Sequence, residues 1–417
     1  MNGSLYSIFT LLIVLTAIFS YINFRFFKLP ATIGIMVISL LCSVVILGLG
    51  KFNPHLMQQT MLLVTSVNFE RLLMKVMLSF LLFAGAIHVN IQSLKKEIVS
   101  ITIYSTFGVI ISTALIGIGM FYVFQLFGFS IPLIYCFLFG ALISPTDPIA
   151  VLGILKEANI PSSIEIKITG ESLFNDGIGV VIFASLLDIA LMGTDKLSIM
   201  QVAGLFLREA GGGIIWGLVL GYAGYYLLRS IDHYEVEVLI TIAMVMGGYL
   251  FASYLHISGP LAMVVAGIIT GNKGKEEAMS ALTRDYVSKF WDLIDNILNA
   301  VLFLLIGFEM IAFSFDQKTV WLGLISILVV LFSRFISIFL PTLFLSIRMC
   351  FEKNLTPILV WGGLRGGISV ALALSLPRGE YRDVIISITY IIVVFSIVVQ
   401  GLTVGRLARK LNKSTER

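Results

Sequence analysis

The chain has 417 residues, 58% of them hydrophobic and only 12% charged, with a mean hydropathy of +1.00. A soluble domain carries about 25% charged residues, so the composition excludes a water-soluble fold and points to an all-α polytopic membrane protein. The formal net charge of +4 reflects an uneven spread of basic residues among loops and gives no reason to expect a nucleic-acid partner.

Along the chain, nearly every stretch between short polar loops is long enough to cross about 30 Å of hydrocarbon at 1.5 Å per residue. Thirteen transmembrane helices are predicted, over 4–24, 29–50, 73–93, 97–126, 131–156, 163–193, 198–230, 236–255, 259–271, 285–313, 318–348, 356–377 and 382–406. The ninth is short and opens on Gly259-Pro260, and residues 51–72 read as an interfacial helix. The first segment lacks a basic leading region and reads as a true span rather than a cleaved signal. Cys42, Cys136 and Cys350 lie in or beside apolar spans and read as small core residues, not as a disulfide framework or a metal set. Eighteen of the 28 basic residues fall on one set of loops and the tail, among them Arg25, Lys28, Lys95, Lys96, Lys167, Lys273 and Lys289, and seven fall on the opposite set. The richer side is cytoplasmic, which puts the amino terminus outside and the carboxy terminus inside. Arg208, Arg334 and Arg365 lie within spans and need partners.

Two spans are predicted to be broken. The fifth contains Ser144-Pro145-Thr146-Asp147-Pro148, and each proline removes a backbone donor and clashes with the carbonyl four residues back. Asp147, between the breakers, suits either a cap for a half-helix or an ion ligand, and the two roles are compatible. The twelfth contains Gly362-Gly363-Leu364-Arg365-Gly366-Gly367, where four glycines weaken the helix by about 1 kcal/mol each and Arg365, near midspan, requires a buried anionic partner. Seven crossings separate these spans, so they run in opposite directions. Paired interrupted helices of opposite direction point to an inverted-repeat transporter with a midplane site. The expected repeats cover about 1–193 and 236–410, joined by a linker helix over 198–230.

The sixth span carries Glu171, Ser172, Asn175 and Asp176. A charged group at the bilayer centre costs about 2.5 to 3.5 kcal/mol on insertion scales, so these residues mark an ion or proton path. At 100° per residue they fall near 0°, 100°, 40° and about 140° on the helix, in two adjacent stripes. Ser172 and Asp176 share one stripe and Glu171 and Asn175 the other. Glu171 is expected to pair with Arg365, leaving Asp147 and Asp176 as a coupled titrating pair. A hard cation such as Na+ wants oxygen ligands, and the Asp147 and Asp176 carboxylates, the Ser172 hydroxyl and a freed carbonyl such as that of Thr146 would supply them. Two buried like charges also compete for a proton when no cation is present. Asn175 is expected to hold the unwound segment without adding charge.

Thr146-Asp147-Pro148, Gly170-Glu171-Ser172-Leu173-Phe174-Asn175-Asp176-Gly177 and Gly363-Leu364-Arg365-Gly366-Gly367 resemble the NhaP/NHE-type monovalent cation:proton antiporters. The resemblance extends through Ser258-Gly259-Pro260 and Leu298-Asn299-Ala300 to essentially the whole chain. It implies an NhaA-like inverted-repeat fold with a mobile six-helix core and a dimer-forming scaffold. It implies exchange of Na+, or of Li+ or K+, for H+ across a cell membrane without a cofactor. Asn175-Asp176 resembles the electroneutral members, and the short polar tail resembles prokaryotic ones. By motif position Asp147, Ser172, Asp176 and the Thr146 carbonyl are the implied cation ligands, with Glu171 and Arg365 as a supporting pair.

Other readings stay open on the residues alone. Asn299 suits either core support or an ordinary interhelical hydrogen bond, and Asp292 with Asp295 either an acidic funnel or a solvated helix end. Asp188 and Glu309 are expected to reach the membrane interface. A K+/H+ antiporter is the nearest alternative. A passive channel lacks a filter motif here, and an intramembrane enzyme finds neither a His-Glu-x-x-His sequence nor a histidine near Ser172.

Overall fold

The structure, a computed structural model, describes residues 5–53, 69–148, 160–192, 199–313, 316–347, 355–379 and 381–415, with isolated positions between 53 and 69 and between 148 and 160. The expected interfacial helix over 51–72 lies largely outside the described residues. Backbone polar groups in hydrocarbon must bond within their own segment. Accordingly, the described residues form helices and a single isolated bridge, with no strand.

The elements in chain order are α1 (Leu5–Ile22), α2 (Ala31–Gly50), α3 (69–87), α4 (Ile91–Leu126), α5 (Leu133–Ile143), α6 (Ser162–Met192), α7 (Ile199–Arg229), α8 (Tyr234–Tyr254), α9 (Gly259–Ile269), α10 (Ala281–Glu309), α11 (Gln317–Ser346), α12 (Leu355–Gly362), α13 (Gly367–Leu374) and α14 (Arg382–Leu411). Nine helices among the described residues are long and apolar enough to cross a membrane. Shorter or interrupted elements (α3, α5, α9 and the α12–α13 pair) occupy the other four expected positions. The fourth helix begins six residues earlier than the sequence suggests, because Asn90 caps it by accepting from the Ser93 N–H at 3.0 Å. Lys95 and Lys96 therefore sit on helix rather than loop. Lys167, expected in a loop, is buried inside α6 and paired with Glu97 at 3.2 Å. Glu309, expected at the interface, is also buried.

The helices pack as two bundles. One holds α4, α5, α6, α11, α12, α13 and α14; the other holds α1, α2, α3, α7, α8, α9 and α10. They meet where α6 lies against α3, α7 and α9, where α13 lies against α3 and α10, and where α14 lies against α2 and reaches α10, the Tyr390 hydroxyl donating to the Ile306 carbonyl at 2.9 Å. The first contact is apolar, with Val109, Ile178 and Val181 facing Leu261, Phe206 and Ala210. Lipid tails are as apolar as these side chains, so helix association depends on close van der Waals approach. One such approach lies inside the first bundle, where α4 and α5 touch through glycine: a Cβ at Gly140 would run into the Thr113 carbonyl oxygen, and one at Gly117 into the Phe137 ring.

Overpacking of this kind costs about 1–3 kcal/mol. Gly140→Ala is therefore expected to lower the thermal unfolding midpoint of the purified protein, whereas Gly247→Ala, with no atom within 4 Å of the new Cβ, leaves it unchanged or raises it.

Candidate functional site

The breaks after α5 and between α12 and α13 cross one another as an isolated antiparallel bridge, with the Asp147 N–H donating to the Leu364 carbonyl at 2.8 Å. The local chemistry explains the pairing. In a continuous helix the Ser144 carbonyl would accept from residue 148, but residue 148 is proline and has no N–H. Arg365 supplies the missing donor: its Nη1 bonds the Ser144 carbonyl and, at 3.0 Å, the Pro145 carbonyl. The Arg365 backbone N–H donates to Ser396 Oγ at 2.9 Å, Ser396 donates to Gln400 Oε1 at 2.7 Å, and Gln400 Nε2 returns to the Trp361 carbonyl at 3.2 Å. The glycines of this segment make room. A Cβ at Gly366 would lie 2.6 Å from Asp147 Oδ2, and one at Gly363 2.7 Å from Arg334 Nε.

α6 closes the site from the other side. Asn175 Oδ1 accepts from the Thr146 N–H at 3.2 Å, and its Nδ2 donates to Thr146 Oγ1 at 2.9 Å. Thr146 Oγ1 and Ser172 Oγ are 2.9 Å apart. Thr146, Ser172 and Asn175 are all buried. Asp176, one turn beyond Ser172, is 8% exposed, and Asp147 is half-buried. Both carboxylates reach a cavity of about 760 Å3.

The expected Glu171–Arg365 pair does not form. Glu171 pairs instead with Arg334 of α11, in a fork of Nη1 to Oε1 and Nη2 to Oε2, the latter at 3.0 Å. Arg334 Nη2 also donates to the Leu359 carbonyl at 3.1 Å. Helical angles place Glu171 on the stripe away from Asp176, but do not tell which neighbouring helix that stripe faces. It faces α11. Arg365 is held by carbonyl oxygens rather than by a carboxylate, which meets the need for buried acceptors in another way.

The cavity runs from the α3–α4 connection at His88 and Asn90, past Asp292 and Asp295 in the middle stretch of α10, to Asp147 and Asp176. His88 Nε2 lies 3.1 Å from Asp292 Oδ1, and Asn299 Nδ2 donates to Asp295 Oδ1 at 3.0 Å. Asp292 and Asp295 thus belong to the acidic lining of the cavity, the funnel reading of these two residues. Aligned carboxylates along a narrow path attract cations. Sequence reasoning gave Arg334 no partner and left Asp295 open between an acidic funnel and a solvated helix end. A mid-span arginine was the available signal for the first; for the second, the one-turn spacing from Asn299 was.

The geometry predicts the outcome of double-substitution cycles. Breaking a buried pair costs about 3–5 kcal/mol, so Glu171→Ala and Arg334→Ala are each expected to destabilise strongly, with the double variant well short of their sum. Glu171→Ala with Arg365→Ala is expected to come closer to additivity. Thermal unfolding of the purified variants checks both.

Residues 12–410 match the model of the family described as "Sodium/hydrogen exchanger, transmembrane". The "Na(+)/H(+) antiporter NhaP" of Pseudomonas aeruginosa is 47% identical over 96% of this chain and 95% of its own length. The "Na(+)/H(+) antiporter NhaH" of Halobacillus dabanensis is 38% identical over 77% of this chain and 78% of its own. Among solved structures, the sodium proton antiporter MjNhaP1 of Methanocaldococcus jannaschii superposes with a TM-score of 0.74, covering 96% of this chain and 97% of that one at 20% identity, which establishes a shared fold. With the crossed breaks and the motif-bearing α6 already in place, these matches establish that this multi-pass membrane chain belongs to the sodium/hydrogen exchanger family.

Proposed function

We propose that the chain is a secondary-active antiporter that exchanges Na+ for H+ through one site built by Asp147 and Asp176. The observation that carries this reading is the placement of both carboxylates at the floor of a cavity about 760 Å3 in volume, beside a buried hydroxyl pair, Thr146 and Ser172. The carboxylates, the Ser172 hydroxyl and the Thr146 carbonyl are the proposed oxygen ligands. Asn175 positions Thr146, and Glu171 acts through Arg334 to fix α6 against α11.

The charges of the two breaks and of the Glu171–Asp176 segment support one-for-one exchange. Glu171 is neutralised by Arg334 and Glu97 by Lys167. Arg365 then stands against Asp147 and Asp176, leaving one negative charge that a single Na+ or a single proton cancels. An empty, fully ionised site carries that charge into a low-dielectric interior, which is costly; a loaded site does not. Movement is therefore confined to the cation-bound or protonated state. The apolar contact of Val109, Ile178 and Val181 with Leu261 and Phe206 lets the bundles slide without parting an ion pair, which supports alternating access. The expected inverted repeats, the homodimer and the prokaryotic cell-membrane setting belong to the same proposal. So does the orientation, under which the cavity opens to the cytoplasm beside Lys95 and Lys96.

The test is proteoliposome exchange read with a pH-sensitive dye, using Na+, Li+ and K+ separately. Cation-driven proton movement, unaffected by a clamped membrane potential and lost by at least 100-fold (a loss of about 3 kcal/mol) in Asp176→Asn, is the expected result. Competition for one site further predicts that the apparent Na+ affinity falls about tenfold for each pH unit below the site's titration. Unchanged flux in Asp176→Asn overturns the site, and flux that collapses the gradients without exchange makes the protein a channel.

A further inference from the structure

The connection between α1 and α2 holds a second cavity, of about 650 Å3, which shares no lining residue with the carboxylate cavity and is lined by Ser20, Asn23, Phe24, Arg25, Lys28 and Leu29 among others. Its wall is built rather than loose. α1 ends in a wide turn over Asn23–Phe27, and the buried Asn23 amide clamps the Leu29 backbone from both sides, donating to its carbonyl at 2.9 Å and accepting from its N–H at 3.2 Å. Lys28 is held at φ 51°, a left-handed conformation that favours glycine or asparagine. It closes the turn as a left-handed cap, its N–H returning to the Asn23 carbonyl at 2.7 Å. No described acidic side chain pairs with Arg25 or Lys28.

The same cavity abuts the head of α2. Pro30 precedes this 20-residue helix without a side-chain cap, and the Gly34 N–H to the Pro30 carbonyl is the first helical bond. The N–H groups of Ala31, Thr32 and Ile33 therefore have no carbonyl within their own helix. Such N–H groups, with the helix dipole behind them, favour phosphate. Around the rim, Phe24, Phe26 and Phe27 are 82%, 72% and 48% exposed, and the apolar residues of α1 that continue them, Tyr21 and Ile18, are also exposed.

We propose that this cavity binds the phosphate of an anionic diacyl phospholipid, with Arg25 and Lys28 as its charge partners and the head of α2 as its hydrogen-bond donor. Charge alone would suit any phosphate. The exposed rings and the outward apolar face of α1 select a molecule whose tails lie along the helix. Under the proposed orientation the site faces the inner leaflet, where basic residues near the surface gain about 1 kcal/mol each from anionic lipid.

Thermal unfolding of the full chain in detergent tests this apart from transport. Phosphatidylglycerol is expected to raise the midpoint by about 3 °C or more over phosphatidylcholine. Arg25→Gln with Lys28→Gln is expected to abolish that gain, and Lys95→Gln with Lys96→Gln to keep it. Lys28→Gly relaxes the left-handed turn, so its midpoint without lipid should be equal or higher while its gain from phosphatidylglycerol falls. The proposal is overturned if phosphatidylglycerol gives no gain, if the Arg25/Lys28 variant retains it, or if inorganic phosphate alone reproduces it, which would make the ligand a free anion. Sodium-driven exchange by the Arg25/Lys28 variant in phosphatidylcholine vesicles should match the parent, so failure of the exchange reading leaves this result standing.

Discussion

Two extended segments cross at membrane depth, and each provides a hydrogen-bonding group that the other lacks. Pro148 permanently deprives the Ser144 carbonyl of its helical donor, and Arg365 replaces it. The Leu364 carbonyl, freed by the glycines around it, is satisfied by the Asp147 N–H. An unpaired backbone group in hydrocarbon costs several kcal/mol, so neither break is tolerable alone. The crossing also fixes where Asp147 stands, because its own backbone is one half of the bridge. A charged side chain as the donor strengthens the bonds to Ser144 and Pro145 and sets a positive charge in the crossing itself.

The ion pairs of the interior are unevenly distributed. Glu171–Arg334 and Lys167–Glu97 join helices of the same bundle. The contact of α6 with α7 and α9 is made by apolar side chains. Buried ion pairs resist separation, since parting them strands a charge, whereas apolar surfaces in a bilayer exchange one set of contacts for another at small cost. The polar groups that build the site thus also make its bundle stiff, whereas among the described residues no ion pair joins α6 to α7 or α9, and the apolar part of that contact is free to slip.

Much of this was legible in the sequence because membrane burial penalises polar residues so heavily that each one left in a span declares a purpose. The two breaks, the α6 quartet and the helical class followed from that penalty. The partner of Glu171 did not. Two arginines, Arg334 and Arg365, were available at similar depth, and choosing between them needs the neighbour relations of α6, α11 and α12, which periodicity within one helix does not contain. The start of α4 was hidden for a related reason: Lys95 and Lys96 read as loop by polarity, and Gln92 and Ser93 as the end of the preceding span, while the Asn90 cap makes all four part of the solvated opening turns of α4. Asp295 was obscured because a helix start read at 285 puts it near a solvated end, whereas α10 begins at Ala281 and Asp295 is at its middle. Only the cavity running past it assigns it to the path.

The crossing has a further consequence, for biogenesis. Ser144 and Arg365 are separated by 221 positions in the chain. At about 5–20 residues per second of synthesis, the α5 break emerges some tens of seconds before the arginine that will satisfy it. During that interval the nascent protein carries carbonyls at Ser144 and Pro145 that no described side chain of its amino-terminal half serves in the finished structure. The amino-terminal half must therefore wait near the insertion machinery, or in contact with water or lipid headgroups, until the twelfth segment arrives. Maturation of the transport site is in this sense the last event of folding, not the first, and a ribosome that stops short of α12 leaves a chain that can span the membrane but cannot settle in it.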